Sequence, residues 1–306
     1  MTNTITITNL CKEYGKVQAV NDLNLSIEEG SVFGFLGPNG SGKSTTIGML
    51  LGLVRPTDGE AEVAGYNPQL EPVSVRSNVG ILPEGFAPYP SLTGREHLEY
   101  ISDLRGIQVD VGQNLSQVGL LDAGDRVATG YSKGMTQRLG LSMALIGQPD
   151  VLILDEPFTG LDPDGSQLVR EVVQQERNRG TTILFSSHIL GQVEILCDDI
   201  GVLSGGSLVA EGSLKELQSE GELLTRTTLL LRDQLEEAID LVSNFGFTAE
   251  PSQNESEIVV EHDAETSHLD IVRELDRSGI HVADARVQPP TVEDIYRVFT
   301  ATEGRS

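Results

Sequence analysis

Nine residues, Gly37-Pro38-Asn39-Gly40-Ser41-Gly42-Lys43-Ser44-Thr45, combine the types needed to hold a chain of phosphates. They fit G-x-x-x-x-G-K-[ST], in which glycines let successive backbone N–H groups converge on one anion. Lys43 can reach the outer phosphates, and the Ser44 hydroxyl can complete an octahedral Mg²⁺ shell. Much further along, Asp155-Glu156 follows the apolar run at 151–154. Adjacent carboxylates at a strand's carboxyl end lie where open α/β sheets bind their ligands. Asp155 suits the metal shell, directly or through water, and Glu156 suits accepting a proton from an attacking water. Alone, each motif is ordinary, since Gly-rich turns and capping carboxylates are common. Together they point to a nucleotide-hydrolysing site.

Such a site needs a strand before the loop and a helix after it. Residues 31–36 are an apolar run suited to a buried strand, and 46–53 can continue a helix whose N-terminus favours an anion. The N-terminal stretch alternates apolar and polar through Ile5, Ile7, Val20, Leu23, Leu25 and Ile27, the period of half-buried strands. A turn at 55–60 and a short strand at 61–65 come next. From about residue 91 to 147 the pattern is helical, opening on a capping sequence at 91–96. Strand 151–154, helix 164–179 and strand 181–185 then alternate, which predicts an α/β fold with a covered parallel sheet. The pattern ends near 219–222, so the domains are expected at 1–220 and 221–306. The second reads as a small α+β unit: strand 227–231, helix 233–245, strand 257–261, helix 266–278, strand 280–287, and a last helix after Pro289-Pro290.

Composition narrows the setting. No stretch approaches 18 uninterrupted apolar residues, and the N-terminus lacks the regions of a signal peptide. Cys11 and Cys197 are far apart and have no metal-site spacing, so a cytosolic chain with inert thiols is expected. The net charge is −25, and only five of the 21 basic residues are lysines. That surface argues against nucleic acid as a partner. It also repels itself at low ionic strength, whereas molar salt shortens the Debye length to about 3 Å. A high-salt cytoplasm is the expectation. Residues 221–306, with 18 acidic and 7 basic side chains, are the more densely charged part.

Ahead of the Asp-Glu strand stands Tyr131-Ser132-Lys133-Gly134-Met135, leading into the helical run at 139–146. With that run in place, residues 1 to about 220 resemble the nucleotide-binding subunit of an ATP-binding-cassette (ABC) transporter. The resemblance implies a P-loop NTPase fold with an N-terminal antiparallel β subdomain and a helical signature subdomain at about 86–147. It implies ATP and Mg²⁺ as ligands, and Glu156, His188 and Lys43 as the catalytic groups. The family signature usually reads Leu-Ser-Gly-Gly-Gln. Here Tyr131, Lys133 and Met135 depart from it. Ser132 and Gly134, which would touch the γ-phosphate of ATP on a second subunit, are kept. Tyr14 resembles the aromatic that stacks on adenine. Glu84 stands where the family commonly has a Gln that senses Mg²⁺; a carboxylate keeps the oxygen ligand and adds charge. Asp162, in Gly160-Leu161-Asp162-Pro163, resembles the loop that crosses the dimer interface. His188, after Ser186-Ser187, matches the histidine that contacts the γ-phosphate.

Because the family signature lies too far from its own loop to share an ATP, the resemblance implies two subunits paired head to tail, with a homodimer expected. It also implies separate integral membrane permease subunits and a cytoplasmic position at the inner face of the cell membrane. Phe86, Tyr89 and Tyr100 are candidates for contacting them, or are core. A single cassette with an α+β tail is similar to export-type two-gene systems. These include drug exporters and cassettes serving copper-site assembly of nitrous-oxide reductase, and residues 185–194 lean mildly to the latter. A soluble ABC ATPase of DNA maintenance or translation is the rival. The lack of heptads, the single cassette and the acidic surface disfavour it. His262, His268 and His281 fit no defined metal spacing and are expected to be solvated surface residues.

Overall fold

The computed structural model describes residues 2–187, 190–252, 254, 256–263 and 266–301. The chain divides into two compact units, Met1–Glu211 and Gly212–Ser306.

In the first unit, β1 (Asn3–Tyr14) and β2 (Val17–Glu28) pair antiparallel, with Ile5 opposite Ile27 and Ile7 opposite Leu25. Their alternating apolar residues all turn to one buried face, as period 2 requires. Strand β3 (Val32–Leu36) is buried throughout and runs through the glycine loop into helix α1 (Lys43–Leu50). Strand β4 (Asp58–Val63) returns to the other side of β1, completing a three-stranded antiparallel sheet. Helix α2 (Pro72–Asn78) leads into β5 (Val79–Leu82). The helical part holds α3 (Gly94–Arg105), α4 (Val111–Gln117) and α5 (Lys133–Ala144). Then β6 (Val151–Asp155), α6 (Pro163–Asn178), β7 (Thr182–Ser187) and α7 (Leu190–Leu196) alternate. Strands β8 (Asp199–Ser204) and β9 (Ser207–Ser213) follow.

The second sheet has the order β5-β6-β7-β3-β8-β9, and β5, β6, β7, β3 and β8 are mutually parallel. That order sets the chemistry. β3 lies beside β7, and β7 beside β6, with Leu36 level with Ser187 and Asp155 level with Ser186. The glycine loop and the paired carboxylates thus leave the carboxyl ends of β3 and β6, on either side of β7. Phe35, Met49, Ile153 and Leu184 pack with Ile5, Ile7 and Leu23 in one buried cluster. Burying each such side chain stabilises the fold by about 1.5–3 kcal/mol.

The second unit opens with α8 (Leu214–Glu220), so the division falls ahead of the expected 220/221 boundary. The reason is local: Ser213 and Glu216 form a capping box that starts α8, and Gln218 on it donates to the Pro290 carbonyl at 2.8 Å. Next come β10 (Thr225–Leu231), α9 (Leu235–Asn244), β11 (Thr248–Pro251), β12 (Glu257–His262), α10 (His268–Arg277), β13 (Val282–Gln288) and α11 (Val292–Ala301). The sheet order β11-β12-β10-β13, with antiparallel neighbours, is that of a split β-α-β-β-α-β unit. Strand β11 is absent from the sequence reading. It is short, ends on a proline and carries no alternating apolar pattern.

His262 corrects an expectation. It is buried rather than solvated, with Nε2 2.9 Å from the Thr227 hydroxyl and Nδ1 2.8 Å from the Asp263 carbonyl. Those two partners satisfy both ring nitrogens inside the sheet's packed face.

Candidate active site: the phosphate loop and its carboxylates

The loop's shape depends on two glycines that cannot be replaced without a clash. At Gly42, φ is +107°, and an added Cβ would stand 2.7 Å from the Ala19 carbonyl. At Gly37, a Cβ would meet the Ser41 hydroxyl and the Leu203 carbonyl. Backbone from β2 and β8 therefore closes tightly around the loop. The Ser41 hydroxyl is buried and has no hydrogen-bond partner among the described residues. A buried polar group of this kind is ordinarily satisfied by water or ligand. Lys43 is 6% exposed, and its ammonium donates to the Gly37 carbonyl at 2.6 Å and the Pro38 carbonyl at 3.1 Å. Burial lowers its pKa from the ordinary lysine value, while Glu156, Asp155 and Glu84 pull it upward.

Those same three carboxylates share one cleft of about 440 Å³ with Tyr14, Asn39, Gly40, Gly42, Lys43, Ser44 and Thr45. Asp155, buried at the end of β6, accepts a hydrogen bond from the Ser186 hydroxyl. The next N–H, of Glu156, donates to both the carbonyl and the hydroxyl of Ser186, each at 3.2 Å. Glu156 has φ +53°, a left-handed conformation that costs a non-glycine residue about 1–2 kcal/mol. These bonds hold it there, and strain of this kind collects at functional sites. Tyr14 forms the outer wall: its ring is 50% exposed, with the Lys12 ammonium 4.9 Å above it. A larger hollow, about 770 Å³, lies near α4 and the end of α6, with amide, apolar and charged side chains in its lining. It contains none of the phosphate-loop groups. The smaller cleft is the one where cation, hydroxyls and carboxylates converge.

A family model for ABC transporters matches residues 20–159. The chain is 34% identical over 310 residues to the daunorubicin resistance ATP-binding protein DrrA3 of Streptomyces coeruleorubidus, covering 98% of this chain and 97% of that one. The chain belongs to the ABC transporter family. It is an ATP-binding, exporter-type subunit, an ATPase coupled to transport. The bacitracin transport ATP-binding protein BcrA of Enterococcus faecalis is 40% identical over 220 residues, 71% of each chain. A solved ATP-binding subunit of an ABC transporter superposes with a TM-score of 0.68 at 29% identity, covering 72% of this chain and 94% of that chain. A dimeric bacterial ABC cassette shares the fold, with a TM-score of 0.63 at 23% identity, over 69% of this chain and 98% of that one.

The residues likened to the family signature, Ser132, Lys133, Gly134 and Met135, and the loop residue Asp162 do not line the cleft of this ABC subunit. Ser132 caps α5, accepting from the Met135 N–H at 3.2 Å. Lys133 is exposed, with no ion-pair partner among the described residues. Its stem crosses Gly160, and Gly134 faces Leu161. Asp162 caps α6, accepting from the Gly165 N–H at 2.8 Å. Tyr131, in place of the family's Leu, passes its hydroxyl over Gly94 to donate to the Ala123 carbonyl at 2.8 Å. His188 lies outside the described residues. Tyr89 and Tyr100 are exposed and meet edge to face at 5.8 Å, whereas the Phe86 ring is half-buried over Gly140.

Two residues of the ABC site were given no role in the sequence reading. Ser186 secures both carboxylate-bearing residues. Gln137, buried on α5, donates from Nε2 to the Glu156 carbonyl at 3.2 Å, tying α5 to the end of β6. An uncharged amide inside a helix has no sequence signal beyond its place five positions after Ser132.

Proposed function

We propose that this subunit binds MgATP in the cleft and hydrolyses it between two copies of the cassette, driving export through separate integral membrane subunits at the cytoplasmic face. The observation that carries the reading is the convergence of Lys43, the glycine loop, Asp155 and Glu156 in one cleft, within a chain related to DrrA3 over nearly its full length. Residues Gly37 to Thr45 hold the phosphates, with Lys43 leaving the loop carbonyls for the outer phosphate oxygens. Tyr14 stacks on the base. Ser44, Asp155 and Glu84 supply oxygens for Mg²⁺, a hard cation that takes them, and the unpartnered Ser41 hydroxyl leaves a donor for the anion. When bound, the cation neutralises charge on the phosphate oxygens. Glu156 accepts a proton from the water that attacks the γ-phosphorus, and ADP departs. Ser132, Lys133, Gly134 and Met135 face the γ-phosphate on the second subunit, Asp162 lies at the seam, and His188 contacts the γ-phosphate.

The exposed pair Tyr89 and Tyr100, and a groove of about 680 Å³ rimmed by Val73, Ile101 and Leu104, support a membrane subunit docking on this face. No described helix is long and apolar enough to cross a membrane, which supports a separate permease. Relatives named for daunorubicin resistance, linearmycin resistance and bacitracin transport support an antibiotic-like cargo. The charge of −25 supports a high-salt cytoplasm.

The test is phosphate release by the full chain. Lys43→Ala is expected to abolish it, and retained turnover would contradict the assignment. Co-purification from membranes is expected to bring down a polytopic protein.

A further inference from the structure

The tail unit ends its sheet on β13, and no described strand pairs with its outer side. Edge strands in monomers are usually short, or blocked by proline, lysine, other charges or a bulge. β13 runs Val-Ala-Asp-Ala-Arg-Val-Gln, seven residues without proline or lysine, and most of them are exposed. It has a register shift at Ala283 near its start and the charges of Asp284 and Arg286. The Ala285 N–H points away from β10, because it donates to the Asp284 carboxylate at 2.9 Å rather than to the ladder. Ladder groups alternate in direction, so Ala285 and Val287 both present outward N–H and carbonyl groups, while Ala283 sits in a register shift between Asp284 and Val282.

The side chains of this edge are self-complementary. Asp284 and Arg286 lie on the same sheet face, opposite Leu230 and Thr228. Both side chains are about 60% exposed, and Arg286 is held by Glu257 at 2.5 Å. If two β13 strands meet antiparallel about Ala285, Asp284 of each copy stands opposite Arg286 of the other. The neighbouring registers on the same face set Asp284 against Asp284, or Arg286 against Arg286. Opposite charges across a strand pair stabilise and like charges do the reverse, so the charges select one register.

We infer that β13 pairs with β13 of a second copy of this chain, centred on Ala285, merging two four-stranded sheets into one across a two-fold axis. The contact needs no nucleotide. It keeps two cassettes at high effective concentration after ATP has left. The net negative charge opposes it at low salt, and screening relieves that opposition.

The test is sedimentation of the full chain without nucleotide, in the Lys43→Ala background, at about 0.3 M KCl where the Debye length is below 10 Å. A dimer is expected. Ala285→Pro removes one outward N–H and spares the ladder to β10, so it is expected to give a monomer with an unchanged circular dichroism spectrum. Asp284→Arg is expected to weaken the dimer roughly tenfold. Ala285→Cys is expected to oxidise to a covalent dimer where the parent does not, since facing Cα atoms about 5.5 Å apart suit a disulfide. A monomeric nucleotide-free chain overturns the inference, as does a folded Ala285→Pro variant that stays dimeric. The ATP-driven reading is tested separately. Glu156→Gln combined with Ala285→Pro is expected to be monomeric alone and dimeric with ATP. If that holds while the nucleotide-free parent is monomeric, only the edge pairing falls.

Discussion

The stem of Lys133 lies across the backbone of Gly160, so closely that a Cβ there would come within 2.6–2.7 Å of Cε and Cγ. Gly160 also has φ +76°. The signature and the turn leading to Asp162 are thereby packed together within one subunit. Gly160→Ala must displace the Lys133 stem and adds left-handed strain of about 1–2 kcal/mol. We expect turnover to fall roughly tenfold or more with little change in ATP affinity, because Gly160 does not line the cleft proposed for ATP. Lys133→Ala is expected to lower turnover too, by removing a cation without strain. Steady-state ATPase kinetics and nucleotide titration separate the two effects.

Gln137 is expected to act through position alone. Replacing it by Met keeps the volume and removes the bond to the Glu156 carbonyl, a loss of about 1–2 kcal/mol in a buried setting. That corresponds to a fall in kcat of roughly 5- to 30-fold with KM for ATP nearly constant. A shift confined to KM would place Gln137 in binding instead.

Acid should loosen the fold through its helix caps. Glu96, Glu216 and Asp294 are held below their ordinary carboxylate values by backbone and side-chain hydrogen bonds at Thr93, Ser213 and Thr291. The native state thus binds fewer protons than the unfolded chain near and below the ordinary values of 4.5 and 3.8. Their contribution is present above those values and is lost as pH falls through the lowered ones. Melting temperature measured down through that range should drop, and Glu96→Gln should flatten part of the slope.

Salt should act in the opposite sense. With a net charge of −25, raising KCl from about 0.1 to about 3 M is expected to raise the melting temperature steadily. A flat or falling curve would remove the high-salt reading.

The parts legible in the sequence were those that strand and loop chemistry make local. Lys43, Asp155 and Glu156 sit in motifs that single them out, and the fold gathers them in one cleft; the buried run of β6 announces its own strand. What escaped depends on pairing across the fold. Ser186 acquires its role only because β6 and β7 align Asp155 beside it. Arg105 reads as an ordinary helix-end arginine, yet it donates to the Val79 and Ile146 carbonyls at 2.7 and 2.9 Å, and burial lowers its pKa. The hairpin of β8 and β9 carries only the Gly205-Gly206 turn as a local cue. His262 is buried by strand register, which no histidine spacing reveals.

The Lys12 ammonium above the Tyr14 ring belongs to a wider distribution. Of the chain's five lysines, Lys12 and Lys16 flank Tyr14, Lys43 is in the loop, Lys133 opens the signature helix, and only Lys215 lies in the tail. Lysine amines are therefore concentrated in the first unit, beside the cleft and at the start of α5. An amine-reactive label followed by mass spectrometry becomes a footprint of occupancy. ATP should shield Lys12 beside Tyr14, pairing with a second cassette should shield Lys133, and Lys215 stays as the internal reference, while Lys43 is already buried.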